Sequence, residues 1–401
     1  MNTGVVKASM FSVLGFLGVA KYFRQVEKAE LNASEKQRQV RIKASPQFQR
    51  GKVIGRMPYT PYQESKLYLN IISFLNRSRL KPQASLPYVK ADIKALNKRS
   101  QSLRVTWLGH SSLFMEMNDA RILIDPVFEF AAPLIARSWF SRNVNSPVTK
   151  EALPLPDVIV ISHDHYDHLE KSTIKYFADK PVCFFVPLGV GKHLENWGVH
   201  PEKIQEFDWW ESAVVHGIEI TATPANHNSG RTGFDNDKTL WCSWAFRSEQ
   251  GRVFFSGDSA YDDHFQAIRK RLGRFDLAFM EVAANVKNGS GYPVENCGHM
   301  QARHTMQAFQ DLGAETLFPV HWSTFELFTH QWDEPMNDLI EEAEASGARV
   351  VTPMVGEVCY PKRRQEISFW WRKIEGASER KASAPVTEST YSHQETFIYS
   401  D

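Results

Sequence analysis

Residues 162–169 read Ser162-His163-Asp164-His165-Tyr166-Asp167-His168-Leu169, with three histidines and a suitably spaced aspartate within six residues. The preceding run, residues 157–162 (DVIVIS), has the valine and isoleucine content of a buried strand. Loops that follow strands in α/β proteins reach solvent at the edge of the sheet, where ligands converge. This histidine-rich segment is therefore the strongest candidate for a functional site.

The spacing of these side chains predicts two metal positions. His163 and His165 are two residues apart, so in an extended loop both point to the same side and can hold one metal. Asp167 and His168 follow on the next turn and can reach a second metal about 3.5–4 Å from the first. Imidazole nitrogens and carboxylate oxygens suit Zn²⁺, and Fe and Mn are alternatives with the same donors.

Three later candidate ligands each lie just past a predicted strand. They are His227 after the strand predicted over residues 219–223, Asp258 after 252–256, and His321 after 317–320. A single histidine after a strand is weak evidence for a metal. The same arrangement in several loops of one chain is an independent reason to expect a metal site.

The order of predicted elements favours an α/β fold. Strands are predicted over residues 103–108, 112–117, 121–124, 157–162, 182–186, 219–223, 241–247, 252–256, 317–320 and 350–353. Helices are predicted over residues 62–80, 260–273 and 302–312, the last ending at Gly313. Runs of strands, followed by strands that alternate with helices, predict two packed β-sheets covered by helices.

The composition excludes several other classes of protein. The chain has 401 residues, 42% of them hydrophobic and 23% charged, which is a globular composition. Its formal net charge of +1 provides no basic excess, so no nucleic-acid partner is expected. Its four cysteines form no C-x-x-C pair, which argues against a thiolate zinc site. The sequence also contains no G-x-S-x-G elbow and no P-loop.

The two ends of the chain differ from its middle. Residues 8–20 (ASMFSVLGFLGVA) are uncharged but are too few to cross a bilayer, which needs about 20 residues. Residues 1–23 are therefore expected to be a cleaved signal peptide or a membrane anchor, with a buried terminal helix as the third alternative. Residues 24–60 are expected to form a linker, residues 61–361 the folded domain, and residues 362–401 a disordered tail.

With its H-x-H-x-D-H segment and later histidine, aspartate and final histidine, the chain resembles the metallo-β-lactamase superfamily. Within that superfamily, the region from about Val53 to Pro361 is similar to the N-acyl-phosphatidylethanolamine-hydrolysing phospholipases D. The segments that carry this similarity are Val105–Ser112 (VTWLGHSS), Ile124–Pro126 (IDP), Phe185–Gly189 (FVPLG), Asp208–Glu211 (DWWE), Leu240–Trp244 (LWCSW), Phe254–Asp258 (FFSGD), Phe275–Ala278 (FDLA) and His321–Phe325 (HWSTF).

The resemblance implies a four-layer αββα sandwich, in which two mixed β-sheets are flanked by helices. It also implies a binuclear zinc centre with seven ligands. These are His163, His165 and His227 for the first zinc, Asp167, His168 and His321 for the second, and Asp258 as the bridge between them. Asp167 and Asp258 are the catalytic residues in this interpretation.

Further roles follow from the same resemblance. Tyr166 and His299 match positions that contact the lipid phosphate region. His110 and Asp125 are better placed as partners that orient the ligands than as ligands themselves. One stretch departs from the family, because residues 279–287 contain Glu281 where an apolar substrate-lining stretch is expected. A carboxylate near a phosphodiester is unfavourable unless it points away or pairs with a cation, which leaves head-group and acyl specificity open.

The implied function is a phospholipase D reaction. A hydroxide held by the metals would attack phosphorus of N-acyl-phosphatidylethanolamine or a related phospholipid, releasing phosphatidic acid and an N-acylethanolamine. The alternatives are a lactonase or hydrolase of soluble esters on the same fold, and a metal-stabilised lipid-binding protein without activity. The expected partners are a phospholipid substrate and a membrane surface, reached through the apolar amino-terminal segment or the substrate. A homodimer stays open.

Overall fold

The structure, a computed structural model, describes residues 25–56, 80–133, 140–285, 298–327, 330–363 and 367–374. The apolar segment 1–23, nearly all of the helix expected over residues 62–80, and residues 375–401 of the expected tail lie outside the described residues.

The described residues contain fifteen strands. They are β1 (Phe48–Gln49), β2 (Lys52–Val53), β3 (Arg104–Gly109), β4 (Ser112–Met117), β5 (Ala120–Ile124), β6 (Val158–Val160), β7 (Cys183–Pro187), β8 (Ile204–Phe207), β9 (Ser212–Val215), β10 (Ile218–Thr223), β11 (Ser243–Ser248), β12 (Gly251–Phe255), β13 (Leu277–Glu281), β14 (Thr316–Val320) and β15 (Val358–Cys359). The α-helices of the same residues are α1 (25–44), α2 (Ile93–Leu96), α3 (Lys171–Phe177), α4 (Gly191–Asn196), α5 (His264–Leu272), α6 (Ala302–Leu312) and α7 (Glu334–Ser346).

Apart from the β1–β2 hairpin, the strands form two mixed sheets. One has seven strands in the order β15-β3-β4-β5-β6-β7-β8, and the other has six in the order β14-β13-β12-β11-β10-β9. In the first sheet, β5, β6, β7 and β8 run parallel. In the second, β12, β13 and β14 run parallel, with α5 and α6 as the connecting helices.

Successive side chains along a strand point to opposite faces of its sheet, so each sheet packs against a different layer on each face. In β4, Leu113 and Met115 pack into a core that both sheets share, whereas Phe114 points to the opposite face. That opposite face packs against Ile174 of α3 and Leu194 of α4. Helices α5, α6 and α7 contribute to the shared core cluster from the side of the second sheet. The predicted αββα sandwich with two mixed sheets is confirmed.

Local sequence explains the main turns and helix ends. The β4–β5 hairpin turns at Asn118 and Asp119, whose φ angles of 54° and 61° match a two-residue turn of the primed type. Helix α6 buries an apolar face that includes Met306 and Phe309, and it ends at Gly313 with φ of 63°, as predicted.

Some elements differ from the sequence prediction. The strand predicted over residues 350–353 is wrong, because Val350 forms only an isolated bridge to Leu317. Strands β8 and β9 are short and half-polar, so they carry little alternation to detect. The sequence analysis does not predict helix α7, although this helix has a proline in its first turn and Gly347 at its carboxyl end.

The two expected domain boundaries are also wrong. Residues 24–60 are not a plain linker, because α1 docks on the domain through Arg38, which is 3% exposed. Its guanidinium lies 2.7 Å from both Glu195 Oε1 and Glu206 Oε2. At the other end, the folded region does not stop at residue 361, because Trp371 is fully buried and its indole N–H donates to Asn337 Oδ1 at 3.0 Å.

We predict that Arg38→Met undocks α1. Removing the guanidinium leaves Glu195 and Glu206 without their shared cation, and breaking a buried ion pair costs about 3–5 kcal/mol. Amide hydrogen exchange over residues 25–44 should become much faster, while exchange in β4 and β5 stays unchanged. The control is Lys43→Met, an exposed position of the same helix. Equal protection of α1 in Arg38→Met and the control would contradict the docking role.

Candidate metal centre

The predicted ligand loops begin where strands end. β6 ends at Val160 and leads into the histidine-rich segment, while β10, β12 and β14 end shortly before His227, Asp258 and His321. The structure brings these loops together at one site. Three groups of side chains have donor atoms within 4.8 Å of one another, and two of them contain all seven predicted ligands. The first is His163, His165, His227 and Asp258, and the second is His110, Asp167, His168 and His321. The third group is Asp258, Glu281, His299 and His321.

In the first group, three imidazoles face a common point. His165 Nδ1 lies 2.9 Å from His163 Nε2 and 3.1 Å from His227 Nε2. His227 donates its Nδ1–H to the Gly298 carbonyl at 2.7 Å. Burial and neighbouring imidazoles hold the pKa of His163 and His227 well below the usual range, so both rings are neutral at pH 7. Each therefore directs a nitrogen lone pair at the common point.

In the second group, imidazoles alternate with carboxylates. His168 Nε2 lies 3.2 Å from Asp167 Oδ2, and His321 Nε2 lies 3.4 Å from the same oxygen. Both nitrogens also lie 3.2 Å from Asp258 Oδ2.

Asp258 connects the two groups. Its Oδ2 atom lies 3.7 Å from Nε2 of both His163 and His227, besides its contacts with His168 and His321. Its other oxygen, Oδ1, is buried and has no hydrogen-bond partner among the described residues. This is the position expected of a bridging ligand.

In the second group, the charged side chains shift one another's pKa values. Burial opposes ionisation of Asp167 and Asp258, but neighbouring histidines outweigh it and hold both pKa values well below the usual range. Burial also lowers the pKa of His168 and His321, but Asp258 and Asp167 outweigh it. They raise the pKa of His168 well above its usual value and that of His321 to about 10.

The donor set fits two divalent cations. Buried carboxylate and lone-pair nitrogen atoms converge on two adjacent points, and the unpaired Asp258 Oδ1 is an acceptor that a cation would satisfy. Nitrogen and oxygen donors without thiolate are those that Zn²⁺, Fe and Mn accept. His163, His165 and His227 would hold one cation and Asp167, His168 and His321 the other, with Asp258 between them.

A layer of buried partners fixes the ligand rings. Asp125 Oδ2 accepts from His168 Nδ1 at 2.7 Å, and its Oδ1 accepts from the Ser162 main-chain N–H at 2.7 Å. Ser162 Oγ also lies 2.9 Å from His163 Nδ1. His110 Nε2 lies 3.0 Å from Asp167 Oδ2, and burial lowers the pKa of His110 to about 3, so this ring is neutral. His110 and Asp125 thus occupy the orienting positions expected for them.

Two residues that tie the histidine-rich loop to its neighbour were missed by sequence reasoning. The Asp164 carboxylate accepts from Gly230 N–H at 2.8 Å and Thr239 Oγ at 3.0 Å. The Arg231 guanidinium donates to the main-chain oxygens of Asp164 and Leu169 at 2.5 and 2.9 Å. The middle position of H-x-H was a signal for Asp164, because its side chain must point away from both histidines.

Backbone strain accompanies the site. His321 has φ of 70°, a left-handed conformation that is costly for a residue with a side chain. Gly257 precedes Asp258 with φ of 55°, and a Cβ there would lie 2.7 Å from the Ser162 Cβ. The loops of Asp258 and His163 therefore approach as closely as they do because residue 257 is glycine.

The two predicted substrate residues lie in different places. His299 is close to the cluster, with Nδ1 3.8 Å from Asp258 Oδ2. Tyr166 belongs to neither ligand group, and its ring stacks 4.0 Å from the Arg231 guanidinium. It lines a neighbouring cavity with Trp197. Their contact with a substrate stays a prediction.

Glu281 pairs with a histidine. Its Oε2 accepts from His299 Nδ1 at 2.8 Å, and its Oε1 accepts from the Ser259 main-chain N–H. The carboxylate is fully buried, and burial raises its pKa. The carboxylate that departs from the expected apolar stretch therefore has the His299 imidazole as its hydrogen-bond partner.

A two-sheet αββα sandwich with paired histidine and aspartate ligand groups at its strand ends defines a metal-dependent hydrolase fold. The chain belongs to the metallo-β-lactamase superfamily, because the family model described as β-lactamase superfamily domain matches residues 120–322, about half of the chain.

Individual relatives indicate which members of that superfamily the chain is similar to. An uncharacterised protein of Mycobacterium tuberculosis is 33% identical over 332 residues, covering 82% of this chain and 88% of its own length. N-acyl-phosphatidylethanolamine-hydrolyzing phospholipase D 1 of Caenorhabditis elegans is 30% identical over 271 residues, covering 64% of this chain and 75% of its own length. The resemblance stated from the sequence is confirmed.

A solved structure shares the fold. The crystal structure of a possible metal-dependent hydrolase from Veillonella parvula matches 65% of this chain and 100% of its own length, with 16% identity and a TM-score of 0.50. Among the described residues, no helix has the length and apolar character needed to cross a membrane.

We predict that metal binding releases about two protons per chain near pH 7. His168 and His321 have raised pKa values and must lose their protons to bind a metal, whereas His163 and His227 are already neutral. Zn²⁺ added to chelator-treated protein in weak buffer should acidify the solution, and metal affinity should rise with pH. Metal uptake without proton release would contradict the ligand assignment.

Proposed function

We propose that this chain is a binuclear zinc-dependent phospholipase D that hydrolyses N-acyl-phosphatidylethanolamine or a related phospholipid. The observation that carries the proposal is the position of Asp258 Oδ2, within 3.7 Å of four imidazole nitrogens that belong to two ligand groups. Two adjacent cations suit phosphoryl transfer, because they stabilise the attacking and the leaving oxygen together.

Different residues of the chain would have different roles in the proposed hydrolysis. Metal ions held by these ligands would supply a water of lowered pKa and would neutralise charge on the phosphoryl oxygens. Asp167 and Asp258 would help to hold the ions, and their carboxylates would orient the attacking water towards phosphorus. His299, held at Nδ1 by Glu281, would lie beside the substrate phosphate. Burial of the ligands excludes competing water and strengthens each of these interactions.

The choice of substrate class is supported by the relatives. Two proteins named as N-acyl-phosphatidylethanolamine-hydrolyzing phospholipases D, from Caenorhabditis elegans and Saccharomyces cerevisiae, are 30% and 32% identical to this chain. The DWWE and HWSTF segments follow the same branch. A phospholipid substrate places the enzyme at a membrane surface, either through the apolar amino-terminal segment or through the substrate itself.

The test is a product assay on the purified full chain with N-acyl-phosphatidylethanolamine vesicles, with metal analysis of the same sample. We expect N-acylethanolamine and phosphatidic acid, about two metal ions per chain, and loss of product with chelator. His165→Ala and Asp258→Asn should lower activity at least about a hundredfold. His200→Ala, an exposed histidine outside both ligand groups, is the matched control.

Each other outcome favours a different hypothesis. Turnover of soluble lactones or esters alone would replace the phospholipase proposal with the alternative on the same fold. Binding of vesicles without product, unaffected by His165→Ala, would indicate a lipid-binding protein without activity.

We predict that Glu281→Leu weakens substrate use without loss of metal. The substitution removes the acceptor for His299 Nδ1, and a hydrogen bond to a charged group is worth about 1.5–3 kcal/mol, roughly a tenfold to hundredfold loss in kcat/KM. The loss should be mainly in KM, because His299 is assigned to substrate phosphate. Glu281→Gln keeps one acceptor oxygen and should retain more activity. Equal kinetics in wild type and Glu281→Leu would refute the role.

A further inference from the structure

Three residues in and around the second group have a left-handed backbone. His110, Asp125 and His321 have φ angles of 50°, 39° and 70°. Positive φ is unfavourable for a residue with a side chain, and such strain persists only where surrounding contacts hold the chain. The three histidines of the first group have no positive φ angle. The loops of the second group therefore need a support that the histidine loops of the first group do not.

The Arg142 guanidinium holds two of the three strained loops. Its Nη2 donates to the main-chain oxygen of Leu108 at 2.6 Å, two residues before His110. Its Nη1 donates to the main-chain oxygen of Val127 at 2.8 Å, two residues after Asp125. The planar guanidinium carries its donors in a fixed fork, so one side chain sets the spacing of both loops.

The next residue, Asn143, holds the third strained loop. Its main-chain N–H donates to the Thr324 oxygen at 2.8 Å, and its Nδ2 donates to the Ser323 oxygen at 3.0 Å, two residues after His321. Ser323 is also left-handed, with φ of 61°. Thr324 Oγ1 accepts from the His110 main-chain N–H at 2.7 Å, which joins this loop to the loop of His110.

Other contacts hold the first group. His227 donates to the Gly298 oxygen, and the Asp164 carboxylate ties the loop of His163 and His165 to residues 230 and 239. One connection runs from the clamped loops to this group, because the Asp125 carboxylate accepts from the Ser162 main-chain N–H. Support by residues 142 and 143 is therefore direct for the second group and indirect for the first.

We propose that Arg142 and Asn143 are positioning residues that set the affinity of the second group for its cation. This inference rests on the binuclear centre of the proposed function. Arg142 fixes the two partners that orient Asp167 and His168, and Asn143 fixes the loop of His321. Without these bonds the strained residues relax towards negative φ, and the donor atoms of the second group no longer converge.

Zinc titrations of two full-length backgrounds test this inference. His165→Ala disables the first group and His168→Ala the second, so each protein keeps one zinc dissociation constant, measured by competition with a chromophoric chelator. Arg142→Lys keeps the charge but loses the fork, and Asn143→Leu keeps the volume but loses the Nδ2 donor. Each should weaken zinc binding at least about tenfold in the His165→Ala background. The change in the His168→Ala background should be less than threefold.

A buried arginine outside the ligand loops provides the matched control. Arg104 donates to the main-chain oxygens of Ala95 and Lys98, and Arg104→Lys should lower the melting temperature while changing neither zinc constant more than twofold. Equal weakening by the Arg142 and Asn143 variants in both backgrounds, or no weakening in either, overturns the inference. Wild type that binds two zinc ions but releases no product from phospholipid vesicles overturns the proposed function instead.

Discussion

The buried carboxylate of Asp258 is the constraint on which the site depends. A carboxylate with an unpaired oxygen, surrounded by imidazoles from three other loops, is costly to bury unless positive charge lies beside it. Raised pKa values at His168 and His321 supply that charge as protons, and two divalent cations would supply it more strongly. The same electrostatic balance therefore explains why the loops converge and why the site is suited to metals.

Buried tryptophans fix the ends of the strands from which the ligand loops start. Trp107, Trp241 and Trp244 are buried, and their N–H groups donate to main-chain oxygens of His110, Ala225 and Ile161. Each of these acceptors lies in or next to a loop that carries a ligand or its orienting partner. The aromatic core thus does more than fill the space between the sheets, since it also fixes where the ligand loops start.

The sequence indicates the candidate metal ligands more clearly than the long-range contacts that surround them. Ligand spacing is local, so residues 163–168 could be interpreted directly, and strand endings marked His227, Asp258 and His321. Docking contacts are long-range: nothing near Arg38 in the sequence indicates that Glu195 and Glu206 lie beside it, so the sequence alone predicts a linker where α1 lies. The Glu281–His299 pair likewise joins a strand to a distant loop. The sequence also predicts a tail where Trp371 lies, because the helical turn of Trp370–Lys373 is too short to show periodicity.

The central claim concerns the metals, and anomalous X-ray scattering at the zinc edge from zinc-loaded crystals tests it most directly. We expect two peaks about 3.5–4 Å apart, one at each ligand group, with Asp258 contacting both. A single peak, or peaks away from these seven side chains, would contradict the account.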